Sequence, residues 1–441
     1  MNKRIKWSLL PLSLLGLGLV GLAAPACVDT PDEEEFEREL QPIDMCPKEY
    51  FELAASGKGQ VICGLVVDSK GAPIEDDKLT IVIDGKPYQG PKVDWVRELE
   101  KGQPRDVLID ISAPGYAPLV EVVNSSLLDQ PFVLQRLNKS ELSPDKGGQI
   151  FDPSGASIVI PPNSLERLDG KKPIGTVTVG TFFFNPGLQD LPGDYSAINQ
   201  KGQLVYLLSQ GTFFTGAWDA AGNPLRLRAG FQTQVAMPLD IRQKNAPVST
   251  PLWTFDRGKG VWRQIEGQSK QIKLAVGELP NQELHIQAPG VEPVVYDCED
   301  FSTDDPCYPA HCQYQGNIGM VGDFNSLGFV NFDIEKTDPA CIYVDIDESQ
   351  LNTDQLPICL RFEVPNPIAG GVTVREDCMG PDGTVLYNIP PNVVVDVYEI
   401  PTYGCAGGAT SRQVNSGAPW GGTGVPNVTD CNGYIQLPPF P

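Results

Sequence analysis

The sequence predicts an all-β protein made of tandem β-sandwiches that ends in a disulfide-rich β-type domain. Three observations support this fold class. The 441 residues include 45 Gly and 41 Pro, which suit frequent turns and short elements. Apolar residues alternate with polar ones wherever a pattern is visible, as in half-buried strands. The C-terminal third contains eight of the eleven cysteines.

The strand prediction is clearest at residues 107–111. Val107, Ile109 and Ile111 share one face of an extended chain, Asp110 points to the other, and Pro114 and Gly115 follow as turn residues. The same alternation predicts strands at 80–84, 157–160, 176–181 and 393–398. Asp68 and Gly71 suit a hairpin turn, and Gly115 can adopt a backbone conformation denied to larger residues.

The first 26 residues have the anatomy of an export signal. Lys3, Arg4 and Lys6 precede an apolar run from residue 7 to residue 24, and small residues then lead to Cys27. This ending resembles a bacterial lipoprotein signal, which implies that Cys27 receives the acyl chains of a membrane anchor. The alternative is ordinary cleavage, with Cys27 as the first residue of a soluble secreted protein. Cysteine pairing favours lipidation, because the ten other cysteines can form five disulfides.

Residues 27–57 are predicted to be an acidic tether between the export signal and the first sandwich. Residues 27–45 carry eight acidic side chains and one basic side chain. Such a segment has too few apolar groups to form a core and is expected to stay solvated.

Residues 58–138 resemble the carboxypeptidase regulatory-like domain, a small transthyretin-like β-sandwich. The resemblance depends on the strand after Gln60, the turn from Asp68 to Pro73, the step Ala113-Pro-Gly-Tyr116 and the segment 131–134. In metallocarboxypeptidases this domain accompanies a separate catalytic domain, whose zinc-binding motif has no match in this chain.

Residues 146–290 are predicted to form a second β-sandwich. Its segments Ile158-Val-Ile-Pro-Pro162, Pro192-Gly-Asp-Tyr195 and 251–256 resemble the β-sandwich region of cartilage intermediate layer protein and related surface proteins. The resemblance implies a structural or interaction role and supplies no catalytic residues. Trp253, Phe255 and Trp262 are expected to pack in the core or between sheets.

Residues 291–441 are predicted to form a Cys-rich acidic β domain, with 21 acidic and 4 basic side chains. The connectivity of its cysteines is left open, because eight cysteines allow 105 pairings. A zinc site is disfavoured, since Cys307 and Cys312 lack a second close pair and His311 alone adds little. The disulfide candidates of the whole chain are Cys46, Cys63, Cys298, Cys307, Cys312, Cys341, Cys359, Cys378, Cys405 and Cys431.

Composition disfavours several functions. The net charge of −23 has the wrong sign for binding phosphates, so no nucleic-acid partner is expected. The two histidines, His285 on a predicted strand and His311 in a cysteine-rich loop, are too few for most histidine-based catalytic arrangements. Ser143 and Lys146 have the spacing found in some acyl enzymes but lie in a predicted linker. No enzyme activity and no cofactor are therefore expected.

Two acidic clusters contain the oxygen ligands that Ca²⁺ takes, but neither has the spacing of an EF-hand loop. A solvated acidic surface is the more common role of such clusters. The clusters are Asp297, Glu299, Asp300, Asp304 and Asp305, and Asp345, Asp347 and Glu348.

The sequence therefore predicts a non-catalytic cell-envelope lipoprotein with a structural, adhesive or interaction role. It would be exported to the outer membrane or cell surface and held there by a lipid at Cys27. Its partner would be a protein or a glycan. The alternative is a soluble secreted protein that binds a glycan or another protein.

Overall fold

A computed structural model describes residues 46–437 with several gaps. The gaps are 57, 91, 100–105, 125, 130, 188–189, 241, 244, 274–317, 347–357, 380–382, 400–411, 422–425 and 427. The described residues are almost entirely strands, which confirms the all-β fold class. No helix among them is long and apolar enough to cross a bilayer.

The first sandwich contains β1 to β8. These strands are β1 (Gly59–Asp68), β2 (Thr80–Ile83), β3 (Lys86–Tyr88), β4 (Lys92–Glu98), β5 (Val107–Ser112), β6 (Leu119–Val123), β7 (Leu127–Asp129) and β8 (Phe132–Leu134). One sheet has the order β4-β1-β7, with β8 also paired to β1, and the other has the order β3-β2-β5-β6. The predicted alternation on β5 is confirmed, because Val107, Ile109 and Ile111 are fully buried between the sheets.

A helix precedes the first sandwich. Helix α1 (Lys48–Ala55) packs on β1, with Ala54 fully buried, and the Cys46–Cys63 disulfide joins its N-terminal end to the same strand. The prediction of a solvated tether up to residue 57 is therefore wrong for the described residues 46–56. The charge pattern predicted the wrong structure because α1 buries Ala54 on one face and keeps Glu49 and Glu52 exposed.

The second sandwich contains β9 to β24. They are β9 (Asn138–Leu142), β10 (Gly148–Phe151), β11 (Ser157–Ile160), β12 (Leu165–Arg167), β13 (Val177–Phe184), β14 (Ser196–Ile198), β15 (Leu204–Leu208), β16 (Thr212–Trp218), β17 (Leu225–Leu227), β18 (Thr233–Pro238), β19 (Pro251–Asp256), β20 (Val261–Gln268), β21 (Lys270–Lys273), β22 (Ile318–Phe324), β23 (Gly328–Asn331) and β24 (Ile334–Lys336). A nine-stranded sheet, β24-β15-β14-β20-β19-β23-β16-β13-β9, packs on a five-stranded sheet, β10-β11-β18-β22-β21. Strands β12 and β17 form a separate pair.

Strand pairing in the second sandwich does not stop at residue 290, where the sequence places the start of the third domain. Strands β22, β23 and β24 pair with β18, β16 and β15. Met320 and Phe324 are fully buried in the core of the second sandwich. The sequence boundary lies where the net charge of the chain becomes strongly negative. Net charge does not decide which sheet a strand joins, because that depends on strand pairing and on the burial of apolar side chains.

The third sandwich contains β25 to β31. They are β25 (Ala340–Ile346), β26 (Ile358–Pro365), β27 (Val372–Met379), β28 (Thr384–Ile389), β29 (Val394–Glu399), β30 (Arg412–Asn415) and β31 (Gly433–Leu437). Its sheets have the orders β28-β25-β31 and β27-β26-β29-β30. Short 3-10 helices lie at Asp76–Lys78 and Val428–Asp430.

Disulfides support the prediction of a Cys-stapled third sandwich. A Cys341–Cys431 disulfide links β25 to the residues just before β31. The register of β26 and β27 also places Cys359 opposite Cys378. Disulfides form and persist in oxidising compartments, so the two described bonds indicate an extracellular or cell-surface protein.

One type of turn recurs across the sandwiches. The Asp68 carboxylate Oδ1 accepts hydrogen bonds from the backbone N–H groups of Lys70 and Ala72, at 2.9 and 3.0 Å. Gly71 has a φ of 78°, as the hairpin prediction requires. Two other turns have the same pattern, in which a side-chain oxygen accepts from the backbone N–H groups two and four residues later. These acceptors are Asn199 and Asp219. The side-chain oxygen fixes the turn and thereby the register of the strands on either side.

We predict that Asp68→Ala lowers the free energy of unfolding by about 1–3 kcal/mol, because two backbone N–H groups lose their acceptor. Asp68→Asn is the matched control, since the amide oxygen can accept the same bonds and most of the stability should remain. Urea unfolding followed by circular dichroism measures both. Equal losses in the two variants would contradict a role for the turn hydrogen bonds.

Candidate functional site

The three sandwiches meet around residues 185–187 and 190–195, which are the described part of the connection between β13 and β14 and are called the joint segment below. On the side of the first sandwich, the Gly193 N–H donates to the carbonyl of Val120 at 2.8 Å. Gly193 has a φ of 79°, and a Cβ at this position would collide with the Phe255 ring and the Gly260 carbonyl. Glycine is therefore required for this close approach.

The joint segment also bonds to the third sandwich. The Val374 N–H donates to the Pro186 carbonyl at 2.6 Å. The Tyr387 hydroxyl donates to Asp194 Oδ2 at 2.8 Å, and the Asn388 amide donates to the Asp194 carbonyl at 2.8 Å. Asp194, Tyr387 and Asn388 are all buried. Hydrogen bonds between these groups, across the boundary between the sandwiches, therefore replace the hydrogen bonds that each would make to water.

Apolar packing adds to the contact between the first and second sandwiches. Val120 and the partly buried Leu108, from the first sandwich, pack in one cluster with Trp253, Phe255 and Trp262. Trp253 and Trp262 are almost completely buried, which confirms the predicted packing role of these aromatic residues. At the rim of this contact, the Arg257 guanidinium pairs with both carboxylate oxygens of Asp110.

The first and third sandwiches touch directly as well. The Asn124 side-chain amide donates to the Val385 carbonyl at 3.2 Å and accepts from the Thr384 hydroxyl at 3.3 Å. Thr384 also bonds to the carboxylate of Asp377. Each pair of sandwiches therefore has its own polar contact.

Carboxyl groups from all three sandwiches converge at the joint. Burial, together with the nearby Asp190, Asp377 and Glu376, raises the pKa of Glu121 to about 8. Burial also raises the pKa of Asp190, although the guanidinium of Arg375 acts in the opposite direction. Burial and the charge of Asp190 raise the pKa of Glu376. The protonated forms of these acids are thus favoured when the sandwiches are in contact.

Arg375 lies beside this acidic group, and its positive charge opposes the rise in the pKa of Asp190 that burial causes. Its guanidinium lies over the Tyr195 ring, 4.5 Å from the ring centroid, and donates to the Tyr387 carbonyl at 2.8 Å. The Tyr195 hydroxyl lies 3.3 Å from Asp190 Oδ1, and the Glu376 N–H donates to Asp190 Oδ2 at 3.3 Å. Arg375 therefore ties the third sandwich to the joint segment.

Two further acids have raised pKa values. Asp333, which is 1% exposed, has a pKa raised to about 8 by burial and accepts from the Gln210 N–H at 2.9 Å. Burial and the charge of Asp194 raise the pKa of Asp106 to about 6, although the positive charge of Arg97 acts to lower it. Asp333 lies between β23 and β24, within the second sandwich.

The exposed face of the third sandwich carries a pair of tyrosines. Strands β25 and β31 run parallel and place Tyr343 beside Tyr434, with the ring centroids 5.9 Å apart. The Tyr434 hydroxyl donates to Asp345 Oδ2 at 3.0 Å, and Tyr434 is 54% exposed. Strand alternation brings Gln436 to the same face. These four residues, Tyr343, Asp345, Tyr434 and Gln436, are called the tyrosine face below.

A groove of about 620 Å³ lies between the second and third sandwiches, beside the edge strand β24. Pro367, Pro390 and Pro391 line one side of it, with Tyr206 and Lys336 among the other lining residues. Tyr206 is almost fully buried, so this ring does not offer a stacking surface in the groove.

The remaining predicted site residues fall into two groups. Ser143 and Lys146 form a turn, in which the Lys146 N–H donates to the Ser143 carbonyl at 3.1 Å. In the parts of the chain with assigned structure, no three His, Cys, Asp or Glu side chains are arranged to hold a metal ion. Outside the described residues lie Cys27, His285, Asp297, Cys298, Glu299, Asp300, Asp304, Asp305, Cys307, His311, Cys312, Asp347, Glu348 and Cys405.

Comparisons with known proteins give no close relative. No protein-family model matches the chain, and no curated protein matches it. Two solved structures of the pilus-presented adhesin Spy0125 (Cpa) align with 80% of this chain and 96% of theirs, at 11% and 10% identity. Their TM-score of 0.12 supports neither a shared fold nor a shared activity.

We predict that Glu121→Gln makes the protein more stable at pH 8 and less sensitive to pH. A carboxyl whose pKa is raised on folding contributes stability that is complete below the unfolded pKa near 4.5. This contribution is lost as the pH rises through about 8. Glutamine keeps the shape of the side chain without its charge.

The measurement is the urea midpoint between pH 4.5 and 8.5. Glu141→Gln is the control, because Glu141 is exposed on β9. Some pH dependence should remain in Glu121→Gln, since Asp333 titrates in the same range. A midpoint that changes with pH as in the parent protein would contradict the buried charge at the joint.

Proposed function

We propose that this chain is a non-catalytic, exported cell-envelope protein with a structural, adhesive or interaction role. The observation that carries the proposal is the exposed tyrosine face on a body whose three sandwiches are locked together at the joint segment. Tyrosine supplies a large contact area and a polar tip at a low cost in conformational entropy, which is why protein-binding surfaces are rich in it. The joint keeps this surface in a fixed orientation.

We also propose that Cys27 carries acyl chains and anchors the protein to the outer membrane or cell surface. The apolar run before Cys27 supports this assignment, and so does the even number of the other cysteines. The two described disulfides fit an oxidising compartment. The alternative remains a soluble secreted protein that binds a glycan or another protein.

The first sandwich is proposed to be a carboxypeptidase regulatory-like domain. The Asp68 turn and the positive φ of Gly115 support this proposal. The second sandwich is proposed to resemble the region found in cartilage intermediate layer protein. Its support is the motif Pro192-Gly-Asp-Tyr195, together with the segments 158–162 and 251–256 of the sequence.

We predict that Cys27→Ser releases the protein from the membrane fraction of its native host. Two acyl chains or one chain with a second signal hold a protein stably at a bilayer, and serine at this position has no thiol to receive a lipid. Intact-mass spectrometry of the parent chain should show added acyl mass on a chain beginning at Cys27. Non-reducing and reducing alkylation of the same sample would count the disulfides.

The control is a cysteine substitution elsewhere, such as the Cys46→Ser/Cys63→Ser double variant, which removes a disulfide without affecting the anchor. An unmodified chain beginning at Cys27, found in the soluble fraction, would contradict the anchored role and favour the secreted alternative.

A further inference from the structure

The tyrosine face combines two aromatic rings with one carboxylate. The Asp345 carboxylate lies 3.0 Å from the Tyr434 hydroxyl and 3.4 Å from the Tyr343 hydroxyl. Both hydroxyl groups therefore point toward the same acid. Ring centroids 5.9 Å apart and planes inclined by 40° leave the two rings side by side rather than stacked face to face.

This arrangement favours a cation over a neutral or anionic ligand. The face of an aromatic ring carries negative charge density, which attracts ammonium and guanidinium groups placed above it. A carboxylate at the edge of the rings adds a charged hydrogen-bond acceptor for the same group. A neutral ligand would gain the contact area of the rings and hydrogen bonds to the polar groups, but no attraction between charges.

Strands β25, β28 and β31 contain no Lys or Arg. Arg361 pairs with Glu363 and Glu376 on the opposite sheet, and Arg375 is held at the joint. Residues 291–441 have a net charge of −17, so the electrostatic field of this part of the chain attracts cations.

We propose that the tyrosine face binds lysine or arginine side chains of a basic protein segment. The inference deepens the interaction role proposed above and rests on it. Extended or loop segments suit this site, because its four residues lie on one face of two paired strands. The cation is expected over the exposed Tyr434 ring, with Asp345 accepting its hydrogen bonds.

The test is fluorescence anisotropy with the full mature chain and a labelled octalysine peptide, at low and at physiological salt. Asp345→Asn and Tyr434→Ala should each weaken binding about fivefold or more, which is the scale of one cation–π or charged contact. Tyr434→Phe retains the ring and should bind within about twofold of the parent chain.

Matched controls separate the site from the overall negative charge. Asp396→Asn removes the same charge from β29, on the other sheet of the third sandwich, and Val394→Ala truncates an exposed apolar side chain there. Both should bind octalysine nearly as well as the parent chain. Unchanged urea midpoints across all the variants would show that the changes in binding are not caused by unfolding.

Three results would overturn the proposal. Equal weakening by Asp345→Asn and Asp396→Asn would assign the binding to net charge alone. Absence of octalysine binding at low salt would remove the site. Binding of a neutral chitooligosaccharide that is lost in Tyr434→Ala but kept in Asp345→Asn would make the occupant a glycan. Membrane association that depends on Cys27 is measured separately from peptide binding. If that association is observed while any of these three results is found, the envelope role stands and this inference fails.

Discussion

Buried polar groups that hydrogen-bond across the boundary to a neighbouring sandwich are the constraint on which the rest of the structure depends. Asp194, Tyr387 and Asn388 are buried and bonded across the boundary between the second and third sandwiches. If the two sandwiches packed in another arrangement that left these groups buried, each group would lose a partner at a cost of about 1–3 kcal/mol. The sandwiches must therefore associate in one relative arrangement, which satisfies every partner at once.

This arrangement determines what the protein can present to its surroundings. The joint segment and the aromatic cluster around Trp262 cover one face of each of the first two sandwiches, so those surfaces are not available to a partner. The outer face of β25 and β31 remains exposed. A protein with fixed domains binds without the entropic cost of ordering them, which suits a role in adhesion or assembly at a cell envelope.

The sequence was sufficient to predict the fold class and the local structure of several strands and turns. Alternation located β5 and β11, and Asp68 with Gly71 identified a turn whose hydrogen bonds are now seen. Contacts between distant residues could not be predicted. Tyr343 and Tyr434 are adjacent because β25 and β31 pair in parallel across 91 positions of sequence, and no local pattern encodes that pairing. The joint carboxyls likewise come from separate sandwiches, and the raised pKa of Glu121 exists only when they assemble.

Differential scanning calorimetry of the oxidised mature protein tests the central claim, that the three sandwiches form a single cooperative unit. The account predicts one transition, with the calorimetric enthalpy equal to the van't Hoff enthalpy. Two or three separate transitions, with a van't Hoff enthalpy well below the calorimetric value, would show that the sandwiches unfold independently and would contradict the role of the joint segment.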